Sequence, residues 1–242
     1  MVALTSLAHA AVQLQPLLSP PHVLTDTLGG RGRAHAVWGL LQRGDDPFGA
    51  AGDLELSPKT KALLHARVSP PTGFISAQIG SECGTTKLLL SLTDGRSVEA
   101  VIIPTVAKSE AASFSTLCVS SQVGCSRACA FCATGAMGLL RSLSSDEILQ
   151  QLHAAVGTAR DAGLPPIRNV VFMGMGEPAD NLGAVSEALS AMVSPHGFGL
   201  FKRHVCVSTV GTSPEAIRAL EPLPARLAWC VPGRATTHPT RL

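Results

Sequence analysis

The chain has 242 residues, 45% of them hydrophobic and 15% charged, enough to bury a core as one large or two small domains. Its 19 Lys and Arg against 17 Asp and Glu leave a formal charge of +2, which identifies no polyanionic partner but leaves room for a local basic patch. No apolar run reaches the roughly 18 to 20 residues that would span a bilayer, and no membrane segment is expected. Seven cysteines without a secretory signal pattern argue against a disulfide framework and for a reducing compartment, cytoplasmic or inside a plastid or mitochondrion.

Residues 1 to 24 read as a leader. The first 22 lack acidic residues, as organelle transit peptides do, but also lack the arginines such peptides carry. A disordered or locally helical leader and a targeting peptide therefore both stand. From Arg31 to Leu41, Ala34, Val37, Trp38 and Leu41 fall at i, i+3, i+4 and i+7, the apolar stripe of a helix. Ser57 and Pro58 open a second helix over 57–68, as N-cap and first helical residue. The period then changes to alternation over "GFISAQI" and "TKLLLSLTDGRSVEAVIIP", with Asp94-Gly95 as a hairpin turn. Residues 25–104 thus form a helical plus β-hairpin N-terminal unit, and residues 105–113 are a small, polar linker.

Beyond it, strand and helix patterns take turns. Strands are predicted at 116–123, 169–175, 204–210 and 226–231, with helices from Ser144, Asn181 and Ser213 between them. This is the pattern of βα units on a parallel sheet, an α/β fold over residues 105–242.

In such a sheet the loops after the strand C-termini carry the active site. Directly after the first of these strands stands "GCSRACAFCATGAMG", with Cys125, Cys129 and Cys132 spaced C-x3-C-x2-C among glycines. Three thiolates in one loop suit a metal or an iron–sulfur cluster. Structural zinc normally takes four ligands, and no second CxxC pair exists here. A cubane cluster with three cysteine ligands leaves one iron open to a small molecule. In "GMGEP", Gly174 and Gly176 at a strand end would let backbone approach a ligand, and Glu177 could accept from an ammonium or a ribose hydroxyl.

The pattern "CSRACAFC", with Phe131 as its aromatic residue, together with "LCVSSQVGC", "NVVFMGMGEP" and the following "NL", and "GFGLFKRHVCVSTVG", closely resembles the RlmN and Cfr family of radical S-adenosylmethionine (SAM) RNA adenine methyltransferases. The likeness runs over roughly residues 28 to 228. It implies a radical-SAM (β/α) barrel, with Cys125, Cys129 and Cys132 holding a 4Fe-4S cluster whose open iron binds SAM. It implies Gly176, Glu177 and Ser208 as SAM contacts and Glu99 as a proton acceptor. Cys118 would be one of a redox pair, resolving by disulfide formation the adduct between adenine and a methyl-carrying cysteine. The partners implied are ribosomal and transfer RNA, methylated at adenine C2, and an electron donor such as flavodoxin or ferredoxin, acting on a monomer. "FKRH" at 201–204, with Arg31 and Arg33, is the local basic group for RNA phosphates. Cys83, Cys206 and Cys230 have no family role and are expected in the core.

About 110 residues follow the cluster loop, room for about four βα units, where a full (β/α)8 barrel takes about 250. The family's further SAM contacts after the fourth strand, and its methyl-carrying cysteine, have no counterpart. The barrel is therefore expected to be partial and incomplete at the C-terminus. Either the chain is a truncated methyltransferase that cannot turn over, which is favoured, or a second polypeptide supplies the missing strands. The alternatives to this family are another radical-SAM enzyme using the same cluster and a non-enzymatic zinc-binding module.

Overall fold

The structure, a computed structural model, describes residues 15–16, 18–71, 73–127, 129 and 132–230. It begins with β1 (Gln15–Pro16), α1 (Pro21–Thr27), α2 (Arg31–Gln42), α3 (Ala50–Glu55), α4 (Pro58–Arg67) and β2 (Val68–Ser69), which pairs in parallel with β1. The predicted helices are α2 and α4, and Ser57 caps α4 by accepting the Thr60 N–H. α3 was not expected, and α1 falls where a locally helical leader was one of the readings. α1 begins inside the segment read as a leader, where Leu18 and Leu24 are fully buried. Residues 1–14 lie outside the described part.

Then come β3 (Phe74–Gly80), β4 (Thr86–Ser91) and β5 (Ser97–Thr105), an antiparallel meander with its turn at Gly95, φ 79°. The alternating half follows: β6 (Phe114–Cys118), β7 (Gln122–Gly124), α5 (Ala133–Ala136), β8 (Leu139–Ser142), α6 (Ser145–Asp161), β9 (Ile167–Phe172), α7 (Leu182–Val193), β10 (Val205–Thr209), α8 (Pro214–Leu220) and β11 (Arg226–Trp229). One seven-stranded sheet runs β11-β10-β9-β6-β5-β4-β3, parallel from β11 to β6 and antiparallel from β6 to β3. The meander is thus hydrogen-bonded to the α/β half, and residue 104 falls within β5. The stretch 116–123, read as one strand, is two: β6 ends at Cys118, and β7 pairs with β8 in a separate ribbon.

Strand alternation assigns the two faces of the large sheet. Val98, Ala100, Ile102, Leu117, Val170, Phe172, Val205 and Val207 are buried and form one core with Ile148, Leu149 and Leu152 of α6 and Val185, Leu189 and Met192 of α7. α6 opens with a capping box: the Ser144 hydroxyl accepts the Glu147 N–H, and the Glu147 carboxylate accepts the Ser144 N–H. The N-terminal helices join the same core. Trp38 of α2 meets Phe198 edge-on at 5.3 Å between ring centroids, and Gln42 donates to the Gly197 carbonyl. Trp38→Ala is therefore expected to cost about 3–5 kcal/mol, read as a lower denaturant midpoint in one transition for the whole chain.

Candidate active site

The other face of the sheet carries the chemistry. The register places Leu89 beside Glu99, Val101 beside Cys118, Cys118 beside Val171, and Val171 beside Cys206. Because side chains repeat with a period of two, Glu99, Cys118, Cys206 and Ser208 share this face. Glu99 is about half exposed and pairs with Lys87 at 3.0 Å. Cys118 is half-buried, and burial pushes its thiol pKa up against a weaker backbone hydrogen bond at Met173. Ser208 is buried, its hydroxyl 2.9 Å from the Cys230 sulfur.

The cysteine loop hangs between β7 and β8. Gly124, at φ +79°, lies so close to the opposite strand that a Cβ there would fall 1.9 Å from the Gly138 carbonyl oxygen. Only glycine fits. The same oxygen accepts the Cys125 N–H at 3.0 Å, and the Cys129 carbonyl accepts the Cys132 N–H at 2.9 Å, folding the loop back on itself. Cys125 is buried; Cys129 and Cys132 are half-buried. Burial raises the Cys125 thiol, opposed by the Arg127 N–H at 3.4 Å and reinforced by the nearby charges of Cys129, Cys132 and Glu177. Phe131 lies outside the described residues.

Among the described residues no three His, Cys, Asp or Glu side chains converge to hold a single metal ion. A mononuclear site with metal–sulfur bonds of about 2.3 Å needs its sulfurs nearly in contact, whereas each cysteine of a cubane binds a different iron. Three thiols in one loop match in number and type the protein ligands of a cubane with one open iron.

The second motif packs beneath the loop. A Cβ on Gly174 would meet the Val119 carbonyl oxygen at 2.7 Å, and one on Gly176, at φ +98°, would meet Gln122 Cβ at 2.6 Å. Both glycines thus let neighbouring protein approach, where the sequence suggested room for a ligand. Glu177 is buried, and its carboxylate accepts N–H groups from Ala179 at 3.1 Å and Val210 at 3.0 Å. Each oxygen is engaged with backbone.

Several residues that sequence reasoning passed over hold this assembly. Arg127 of the loop pairs with Asp180 beyond β9, with Nε to Oδ2 at 2.8 Å. The Asn181 amide donates to the carbonyls of Ser121 and Leu143, both at 2.8 Å. Arg141 of β8 grips Glu147 with two bonds of 2.8 Å and reaches Asp94 at 2.6 Å. The sequence signal for these was faint: single polar residues whose partners stand up to 60 positions away.

The remaining cysteines correct the expectation of core packing. Cys83 is exposed in the turn before β4, where hydrogen bonding to the Ser81 and Thr85 hydroxyls lowers its thiol to about 7. Cys230 is exposed after β11, and Cys206 is half-buried on the site face. The basic group divides likewise. The Arg33 guanidinium donates to the Leu28 and Gly29 carbonyls and closes the end of α1. Lys202–His204 form a 3-10 turn before β10, with the Arg203 guanidinium 4.4 Å over the exposed ring of Phe201.

A four-stranded parallel βα array with a three-cysteine loop after its first strand defines a radical SAM domain. A family profile described as the radical SAM superfamily matches residues 119–228. A crystal structure of a radical SAM methyltransferase from Sphaerobacter thermophilus superposes with a TM-score of 0.76 and 30% identity, over 90% of this chain and 63% of that one. A dual-specificity RNA methyltransferase RlmN of Myxococcus xanthus is 40% identical over 197 residues, 79% of this chain and 50% of its own length. A probable RNA methyltransferase of Sorangium cellulosum is 46% identical over 145 residues, 60% of this chain and 35% of its own. The chain belongs to the radical SAM superfamily, and this membership implies a 4Fe-4S cluster and SAM as cofactors. It spans between about a third and a half of the length of these curated relatives. Among the described residues no helix is long and apolar enough to cross a membrane.

The Arg141 network gives a pH test. Its guanidinium, with Arg96 adding to it, holds the Asp94 carboxyl well below its ordinary 3.8. A depressed carboxylate stabilises the fold above its ordinary pKa, and that contribution fades as pH falls through it toward the lowered value. Arg141→Met should accordingly lower the thermal midpoint at pH 7, and the gap from wild type should narrow steadily between about pH 5 and pH 2.

Proposed function

We propose that this chain carries the radical-generating part of an RNA adenine methyltransferase of the RlmN type, directed at adenine C2 in ribosomal and transfer RNA. What supports the reading is that Cys118, Glu99 and Ser208 share one face of the sheet, and that the three-cysteine loop and the "GMGEP" loop are bonded to each other beyond β7 and β9. A 4Fe-4S cluster bound there would supply the electron that cleaves SAM. Cys125, Cys129 and Cys132 would hold it. Gly176 and Glu177 would shape the backbone that receives SAM, and the Ser208 hydroxyl would contact it at the end of β10.

The protein's own groups suit the later steps. Partial burial raises the Cys118 thiol and so favours its protonated form until a partner thiol approaches. Glu99 presents its carboxylate on the open side of the same face, where it can take a proton from an adenine carbon if Lys87 swings away. The base must leave its stack to arrive there. Residues 25–104 and the Phe201–His204 segment would grip the RNA around it, the guanidinium and ring of Arg203 and Phe201 offering a phosphate contact and a stacking surface. Seven cysteines without a secretory signal pattern support a reducing compartment, cytoplasmic or inside an organelle, with a flavodoxin or ferredoxin as electron donor.

Anaerobic reconstitution tests the cluster. The wild-type chain should turn brown and take up about four irons and four sulfides, and any one of Cys125→Ala, Cys129→Ala or Cys132→Ala should abolish this. One colourless zinc per chain would overturn the reading. The RNA assignment has its own measurement, fluorescence anisotropy against an RNA hairpin. Lys202→Ala and Arg203→Ala should each weaken binding and lower the salt slope by about one; unchanged slopes would remove this segment from the interface.

A further inference from the structure

Gln122 ends three residues before Cys125, is 1% exposed, and spends its side chain on two loops at once. Its Oε1 accepts the Glu177 N–H at 3.0 Å, and its Nε2 donates to the Ser142 hydroxyl at 3.2 Å across the β7–β8 ribbon. Its backbone N–H points to the Met175 carbonyl at 3.2 Å, beside the Ser121 N–H at 2.8 Å. Gly176 exists as glycine because Gln122 lies against it, 2.6 Å from where its Cβ would stand. Glu177 in turn reaches Val210 after β10.

One side chain therefore ties the ribbon carrying the cysteine loop to the loop after β9, and through Glu177 to the loop after β10. We infer that Gln122 is a positioning residue, fixing the cysteine loop at the distance from the Gly176–Glu177 backbone that SAM must bridge. The inference rests on the proposed cluster and SAM site. A carboxamide accepts from one loop and donates to the other without carrying charge, whereas a carboxylate would bury a second negative charge beside Glu177 and a thioether would donate nothing. With Glu177 buried, loss of the acceptor leaves its N–H without a partner, and the loop after β9 must move to find one.

The test compares the wild-type chain with Gln122→Met, close in volume but unable to make either bond. Both are reconstituted anaerobically, iron is counted, and the EPR spectrum of the reduced cluster is recorded during titration with SAM. Gln122→Met should take up as much iron as wild type yet bind SAM about tenfold or more weakly, with the SAM-induced change in the spectrum reduced or lost. Leu152→Ala, a core change in α6, should lower the thermal midpoint while leaving SAM affinity per cluster unchanged, which separates positioning from general loss of stability. Equal affinity and spectra in wild type and Gln122→Met, including no response in either, overturn the inference. If Gln122→Met does not fold, Ser142→Ala removes the donor bond alone and should weaken SAM by about threefold, with no change counting against. A wild type that takes up no cluster sinks the proposed function first, and this inference with it.

Discussion

The amide of Gln151, buried in α6, accepts the Ser120 N–H at 2.8 Å and donates to the Ser120 carbonyl at 2.9 Å. A side chain here does for one residue what a neighbouring strand would otherwise do. The Ser120 hydroxyl donates to the Glu99 carbonyl at 2.7 Å and accepts the Met175 N–H at 2.9 Å, so all its polar groups are used. The chain can therefore leave the sheet after Cys118, turn, and form β7 without leaving backbone groups unpaired in the interior. Without that release the strand would run on, and the cysteines would stay in the plane of the sheet.

From this point the site is assembled by buried polar contacts rather than by apolar packing. Gln122, Glu177 and Asn181 each bond to backbone on a different loop. Such networks are costly to leave half-made, and they fix geometry more sharply than interchangeable aliphatic contacts do. The core on the opposite face shows the contrast: Leu149, Leu152, Val185, Leu189 and Val207 fill space and carry no directional information. The two faces of one sheet thus divide stability from placement.

That division also explains what the sequence disclosed. Ser57-Pro58, Ser144 with Glu147, Ser213-Pro214 and Asp94-Gly95 act within a few residues, and the structure realises each as cap or turn. The four parallel strands were legible for the same reason, since burial on the helical face writes a local apolar pattern. The break at Ser120 was not legible, because the group that permits it lies 31 residues away in α6. Glu177 illustrates the limit most directly. Its motif drew attention to a carboxylate beside glycines, but only the fold shows that both oxygens face backbone N–H groups at Ala179 and Val210. Cys83 and Cys230 misled in the opposite sense: cysteine is commonly buried, and neither neighbourhood marks a turn or a sheet edge strongly enough to say otherwise.

The site face has two ends with different chemistry. Cys118 and Ser208 lie toward the C-terminal ends of β6 and β10, while Phe201 and Arg203 stand before the N-terminal end of β10. At about 3.3 Å per residue, the five residues of β10 separate these ends by roughly 16 Å. A single nucleotide cannot fill that distance with its base alone; if the proposed function holds, a phosphodiester chain held at the basic end would deliver an unstacked base to the other. His204 sits between, with Nδ1 2.7 Å from Asn169 Oδ1, and the Asn169 amide in turn 3.3 Å from the Thr116 hydroxyl on the same face. The sheet surface joining the two ends is thus polar near Phe201 and Arg203 and turns to Val101, Val171 and Cys118 toward the other end. Under the proposed function, that gradient would take a base out of water before it reached Cys118.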